Sequence, residues 1–177
     1  MPIKVVLVDD HELVLNGFKQ LIQSDDAFNV LDSFGSAEEA LASDVITEDC
    51  ILVTDISLPH KNGLELVKEI KVKFPLLKTV VLSMYENPHY ILTAQSLRVN
   101  AYISKRDAGD VLLNALHNVS VGNIVHSPSV QESTDEQSGE FELYQGLTER
   151  EKEIFVLLAL GNEVKHVANQ LNIAVKT

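Results

Sequence analysis

The side chains of this sequence best suited to chemistry are the carboxylates of Asp9, Asp10 and Asp55, the hydroxyl of Ser83 and the ammonium of Lys105. Each stands at the end of a short apolar run. Ile3, Val5, Val6, Leu7 and Val8 lead to Asp9 and Asp10, Cys50 to Thr54 lead to Asp55, Val80 to Leu82 lead to Ser83, and Tyr102, Ile103 and Ser104 lead to Lys105. Short apolar runs with polar ends read as buried parallel strands, whose C-terminal ends share one edge of a sheet. Open α/β sheets bind ligands at that edge. Three carboxylates crowded there need a cation, and hard oxygen donors suit Mg²⁺, which makes Asp9, Asp10 and Asp55 a predicted Mg²⁺ site. The set also suits a phosphoryl group: Mg²⁺ and Lys105 neutralise its oxygens, Ser83 hydrogen-bonds one, and a carboxylate accepts the group as an acyl phosphate.

The elements that position these residues alternate in type. Strands are expected over residues 3–8, 28–34, 50–54, 78–83 and 101–104, and helices over 11–23, 36–43, 63–73, 88–97 and 107–121. Such alternation predicts an α/β fold with a five-stranded parallel, doubly wound sheet. Val14, Phe18, Leu21 and Ile22 give the first helix one apolar face. Ser36 and Glu39 form a capping box for the second, and Asn62 and Gly63 open the third after Pro59. Asp9 and Asp10 also suit the N-terminus of the first helix, a role compatible with holding a cation. Tyr102 taken alone is a core aromatic.

Beyond about residue 126 the pattern changes. Residues 127–146 hold Ser, Gln, Thr and five carboxylates without a lysine or arginine, the composition of an acidic, exposed, flexible linker. From Leu147 the helical pattern returns. Thr148 and Glu151 form a capping box, Ile154, Phe155, Leu157 and Leu158 follow, Gly161 is the expected stop, and Val164, Val167, Ala168 and Leu171 mark a shorter helix. The expected divisions are therefore 1–126, 127–146 and 147–177.

Composition narrows the function classes. The 177 residues are 45% hydrophobic, enough to build a core without staples, and the single cysteine, Cys50, lies inside a strand as a small apolar residue. No apolar run reaches membrane-spanning length and the N-terminus carries no signal-peptide pattern, so a cytoplasmic location without membrane insertion is expected. The net charge of −12 opposes unassisted binding of nucleic acid. The six histidines have no metal-ligand spacing with one another, and surface or capping roles suffice for them.

At these residues the chain resembles the receiver domain of two-component response regulators over residues 1–126. Asp9 and Asp10 fall on the family's metal-binding pair, Asp55 on its phosphoacceptor, Ser83 on its switch hydroxyl, Tyr102 on its switch aromatic and Lys105 on its lysine. The resemblance implies the backbone carbonyl of Ser57 as a further Mg²⁺ ligand, a flavodoxin-like sheet of order 2-1-3-4-5, and phosphorylation by a sensor histidine kinase docked near the first helix. It also implies self-catalysed phosphoryl transfer and slow autodephosphorylation rather than an enzyme's turnover. Departures occur at Arg106, where many receivers carry a cis proline after the lysine, and at Arg98 and Ala101, where glycine is usual.

Residues 147–177 resemble the start of the LuxR-type helix-turn-helix of NarL/FixJ-family regulators, with Val175 to Thr177 at the beginning of the recognition helix. The expectation is a small, incomplete all-α segment that reads DNA only if the protein continues past Thr177, and a phosphorylation-dependent homodimer as in that family. Arg150, Lys152, Lys165 and Lys176 are balanced by Glu149, Glu151, Glu153 and Glu163, so no basic stripe appears. Asp55 to Pro59 and Ser104 to Arg106 look like regulators of hexose-phosphate transport. The alternative is a receiver that acts only through protein contacts, as a phosphate sink or kinase competitor. An aspartate-nucleophile phosphatase ranks last, because such enzymes carry Asp-x-Asp after the first strand and this chain has Asp9-Asp10-His11. A dinucleotide-binding enzyme lacks its Gly-x-Gly-x-x-Gly.

Overall fold

The unbroken apolar run from Val5 to Val8 already requires two covered faces, and the computed structural model has them. It describes residues 2–86, 88–136, 143, 144, 146–159, 162–171, 173 and 174. Strands β1 (Ile3–Val8), β2 (Phe28–Phe34), β3 (Cys50–Asp55), β4 (Lys78–Ser83), β5 (Ala101–Ser104) and β6 (Val125–His126) form one parallel sheet of order β2-β1-β3-β4-β5-β6. Val5 and Leu7 pack on one side with Ile22, Leu112 and Leu116 of α1 (Glu12–Gln23) and α5 (Ala108–Ser120). Val6 and Val8 pack on the other with Ala37 and Ala40 of α2 (Ala37–Ala42) and Leu66 and Ile70 of α3 (Gly63–Lys73). This period of two along a strand is the pleat expressed in packing.

The caps follow the sequence closely. Asn62 Oδ1 accepts from the N–H groups of Leu64 and Glu65 at 2.9 and 3.0 Å, and Glu65 accepts from Asn62 N–H at 2.9 Å, which completes a capping box. Ser36 accepts from Glu39 N–H at 3.2 Å, but the Glu39 carboxylate takes the Gly35 N–H at 3.0 Å instead of that of Ser36. Thr148 and Glu151 bond reciprocally at the start of α7 (Glu149–Ala159). Helix α8 (Val164–Leu171) packs Val167 and Leu171 against Leu157. Phe155 of α7 meets His89 of α4 (Pro88–Ser96) with ring centroids 5.3 Å apart.

Two expectations change. The sheet has six strands, because Val125 and His126 pair with Ala101 and Tyr102 along the outer side of β5. The stretch expected to be an exposed, flexible linker also begins as packed structure: α6 (Pro128–Glu136) follows directly, with Val130 fully buried beside Tyr102. Hydroxyl groups make this possible in a polar segment. Ser127 donates its N–H to the Tyr102 carbonyl at 3.1 Å, its Oγ accepts from Ser104 N–H at 3.0 Å, and Ser129 gives N–H and O–H to the Asp107 carboxylate at 3.0 and 2.9 Å. Burial works against ionised Asp107, but these hydrogen bonds outweigh it and hold its pKa below the usual carboxylate value. Gly161 and Val175 to Thr177, expected as a helix stop and the start of a recognition helix, lie outside the described residues.

The end of α4 keeps a glycine-type geometry without glycine. Arg98 has φ 53°, its N–H reaches the Gln95 carbonyl at 2.9 Å and Val99 N–H reaches Ala94 at 3.0 Å, the paired bonds of a Schellman motif. Lys71 Nζ donates to the carbonyls of Leu97 and Arg98 at 3.1 and 2.5 Å. Burial, and then the Arg98 guanidinium, push the Lys71 pKa down to about 8. A left-handed arginine costs about 1–2 kcal/mol, of which the flexibility of an unfolded glycine returns about half. Arg98→Gly is therefore expected to stabilise the fold by roughly 0.5–1 kcal/mol in urea unfolding, with the Lys71 pKa moving back toward that of an ordinary lysine.

Candidate functional site

Parallel pairing sets the site. Val8 lies level with Thr54, so Asp9 and Asp55 follow side by side; Asp55 pairs with Leu82, and Ser83 with Ser104 just before Lys105. Asp9 and Asp55 are each only 3% exposed, whereas Asp10 lies further out. Burying two carboxylates without a partner is prohibitive, and Lys105 supplies one. Its Nζ donates to Asp9 Oδ2 at 2.6 Å and Asp55 Oδ2 at 2.8 Å, and its backbone N–H donates to the Ser83 carbonyl at 2.8 Å. Burial works against the ammonium, but the hydrogen bonds and charges of Asp55 and Asp9 outweigh it and raise the Lys105 pKa above the ordinary value. Among the described residues no peptide bond is cis, so Lys105 reaches both aspartates with an ordinary bond to Arg106.

One ammonium does not balance three carboxylates. Asp55 Oδ1 is buried and has no hydrogen-bond partner, while Asp9, Asp10, His11 and Asp55 each offer a ligand atom with all of these within 4.8 Å of one another. An orphaned, buried carboxylate oxygen among further carboxylates is the environment a divalent cation fits. Ser57, exposed in the loop after β3, lies two residues past Asp55.

Ser83 and Tyr102 are joined through one residue. Ser83 is fully buried and its Oγ accepts from Tyr85 N–H at 2.9 Å, while the Tyr102 hydroxyl donates to the Tyr85 carbonyl at 2.7 Å. Tyr102 is 1% exposed, and burial pushes its phenol pKa well up, opposed by the nearby Ser83 hydroxyl. Its core role and its link to the β4–α4 loop coexist.

Several contributors escaped the sequence reading. The His11 imidazole lies 2.8 Å from Asp10 Oδ1, although spacing to other histidines had offered it no partner. Glu86 accepts from Ser104 Oγ at 2.5 Å and Arg106 Nε at 3.1 Å, tying the β4–α4 loop to the end of β5. At Gly63 a Cβ would stand 1.8 Å from the Asp55 carbonyl oxygen and 3.0 Å from Thr54 Oγ1, so the start of α3 presses on the peptide that carries Asp55. A glycine at the first turn of a capped helix, where propensity disfavours it, was the available signal.

Residues 5–117 match the response regulator receiver domain, and residues 145–177 match the luxR family of bacterial regulatory proteins. The chain is a two-component response regulator. It is 33% identical over 177 residues to the transcriptional regulatory protein UhpA of Salmonella typhimurium, covering 99% of this chain and 85% of that protein. To the response regulator protein VraR of Staphylococcus aureus it is 29% identical over 178 residues, covering 100% and 85%. Among solved structures, one of two RcsB dimers bound to two parallel DNAs superposes with a TM-score of 0.73 at 27% identity, covering 98% of this chain and 85% of that one. The isolated receiver domain of RcsB from Salmonella enterica serovar Typhimurium, with the phosphomimetic BeF₃⁻, superposes with a TM-score of 0.69 at 27% identity, covering 75% and 99%. The response regulator thus pairs a NarL/FixJ-type receiver with a LuxR-type segment, and among its described residues no helix is long and apolar enough to cross a membrane.

Because Gly63 abuts backbone rather than a movable side chain, Gly63→Ala is expected to destabilise the response regulator by roughly 2–3 kcal/mol in urea unfolding. Gly109, which has open space around its Cβ position, gives the contrast: Gly109→Ala is expected to be neutral or stabilising.

Proposed function

We propose that this response regulator takes a phosphoryl group from a sensor histidine kinase onto Asp55, and that the modified receiver controls DNA binding where the LuxR-type domain continues past Thr177. The observation that carries the proposal is the asymmetry of Asp55: Oδ2 is held by Lys105, and Oδ1 is buried with no hydrogen-bond partner. Asp9, Asp10 and Asp55, with the Ser57 carbonyl, would hold Mg²⁺, which when bound neutralises charge on the transferring phosphoryl oxygens.

Asp55 attacks the phosphorus of a phosphohistidine, the N–P bond breaks, and the leaving imidazole keeps the electron pair and takes a proton. The product is an acyl phosphate on Asp55, which hydrolyses slowly to restore the carboxylate. Lys105 faces the incoming oxygens from its position between Asp9 and Asp55 and stabilises their charge. Ser83 is drawn from Tyr85 N–H toward a phosphoryl oxygen, which loosens Tyr85 and with it the Tyr102 hydroxyl. Tyr102 then repacks against α4 and Val130 of α6, altering the surface formed by α4, β5, α5 and α6. A phosphorylation-dependent homodimer in the cytoplasm, built on that surface, is the proposed active form. The receiver proper spans residues 1–126 and α6 begins the connection to the output segment from residue 147. The luxR-family match over residues 145–177 counts against a receiver acting through protein contacts alone.

Intact mass after incubation with a small phosphodonor and Mg²⁺ is expected to show one added phosphoryl group, absent in Asp55→Asn and formed about a hundredfold more slowly in Lys105→Met. A wild type left unmodified by several donors would contradict the proposal.

A further inference from the structure

The oxygens of the acidic pocket divide into two sets. Lys105 takes Asp9 Oδ2 and Asp55 Oδ2. On the other side lie Asp55 Oδ1, buried and without a partner, Asp9 Oδ1 and Asp10 Oδ1. His11 faces this second set, its Nδ1 2.8 Å from Asp10 Oδ1 and 3.3 Å from Asp9 Oδ1.

The ordinary reason for a polar side chain at this position is capping. His11 is the N-cap of α1, with φ −97° and ψ 100°, yet its side chain makes no cap hydrogen bond. Its backbone serves the site by donating N–H to Asp9 Oδ1 at 2.9 Å. The imidazole is left to the carboxylates, and at 64% side-chain exposure the ring can turn without losing packing. One donor atom from each of Asp9, Asp10, His11 and Asp55 falls within 4.8 Å of the others, so a single ion can meet all four.

We propose that His11 is a further ligand of the cation site, and that its Nδ1 with the carboxylates of Asp9, Asp10 and Asp55 forms a mixed nitrogen and oxygen set that takes Ni²⁺, Co²⁺ or Zn²⁺. The inference rests on the acidic pocket being the cation site. Mg²⁺ is a hard ion satisfied by oxygen and water, and it gains nothing from an imidazole. Borderline first-row ions do gain from one. These ions already bind more tightly than Mg²⁺ to carboxylates, so the contribution of His11 is the part of the preference that its removal abolishes. Two metal populations then compete for one pocket, and the supply of a transition metal sets how much of the response regulator is available to Mg²⁺.

The test is calorimetric titration of the whole untagged chain with NiCl₂ alone and with MgCl₂ alone, in wild type, His11→Gln and Asp55→Asn. His11→Gln is expected to weaken Ni²⁺ by roughly tenfold or more and to change Mg²⁺ by less than about twofold, while Asp55→Asn weakens both. Unchanged Ni²⁺ affinity in His11→Gln, or equal losses for the two ions, overturns the role of His11 even where Asp55→Asn weakens both. If Asp55→Asn leaves both ions bound as in wild type, the cation-site reading itself fails and this inference with it. With Co²⁺ in place of Ni²⁺, the visible absorption of the bound ion is expected to shift in His11→Gln, and an identical spectrum overturns nitrogen ligation.

Discussion

Everything at the carboxyl edge of the sheet answers to one electrostatic constraint: two carboxylates are buried side by side, with a third next to them, and a single ammonium stands between the buried pair. Like charges a few ångströms apart in a low-dielectric crevice repel strongly, so burying Asp9 and Asp55 side by side calls for close counter-charge. Lys105 supplies it from β5, reaching past the end of β4 to oxygens on β1 and β3. Strand order makes this possible, because β1 and β3 are neighbours and their ends emerge level. The deficit that remains, focused on a buried oxygen without a partner, is the feature on which the proposed cation and phosphoryl chemistry rests.

The same edge is wired to the far side of the receiver by short polar links. Ser83 and Tyr102 share Tyr85, Glu86 holds Ser104 and Arg106, and Ser104 in turn donates its backbone N–H to Ser127 at the start of α6. Val130 closes the chain of contacts by lying in the same apolar cluster as Tyr102. Packed interiors do not deform smoothly, so in the proposed mechanism a displacement of Ser83 would pass into discrete changes of Tyr102 and α6. The described part of the supposed linker is thus packed on the same cluster as Tyr102, where the proposed switch would reach it.

How far the sequence carries this account depends on whether a feature is local. Strand ends, their polar terminators, the helix opening at Asn62 and the capping box at Thr148 are written in period and residue type and stand as expected, whereas the box expected at Ser36 does not close because Glu39 takes the Gly35 N–H. The six-stranded sheet and α6 were missed because their signal is one valine and two serines in a polar stretch, and composition averages those away. Gly63 was read as a helix opener, but its reason is a tertiary one, the Asp55 peptide against its Cα. Arg98 departs from the expected glycine and the Schellman turn forms nonetheless, with Lys71 taking the last carbonyls. For His11 the comparison with other histidines was misdirected, since its neighbours are aspartates.

The central claim is that Asp55 is the acceptor, flanked by Lys105, with Ser83 drawn to the modified carboxylate. A crystal structure of the chain grown with Mg²⁺ and beryllofluoride tests it most directly. The account predicts beryllium bonded to Asp55, fluorines contacting Lys105 Nζ and Ser83 Oγ, Mg²⁺ held among Asp9, Asp10, Asp55 and the Ser57 carbonyl, and the Ser83 to Tyr85 hydrogen bond broken. Beryllofluoride bound to another residue, or bound to Asp55 with Ser83 still held by Tyr85 and Lys105 still confined to the aspartates, would contradict it.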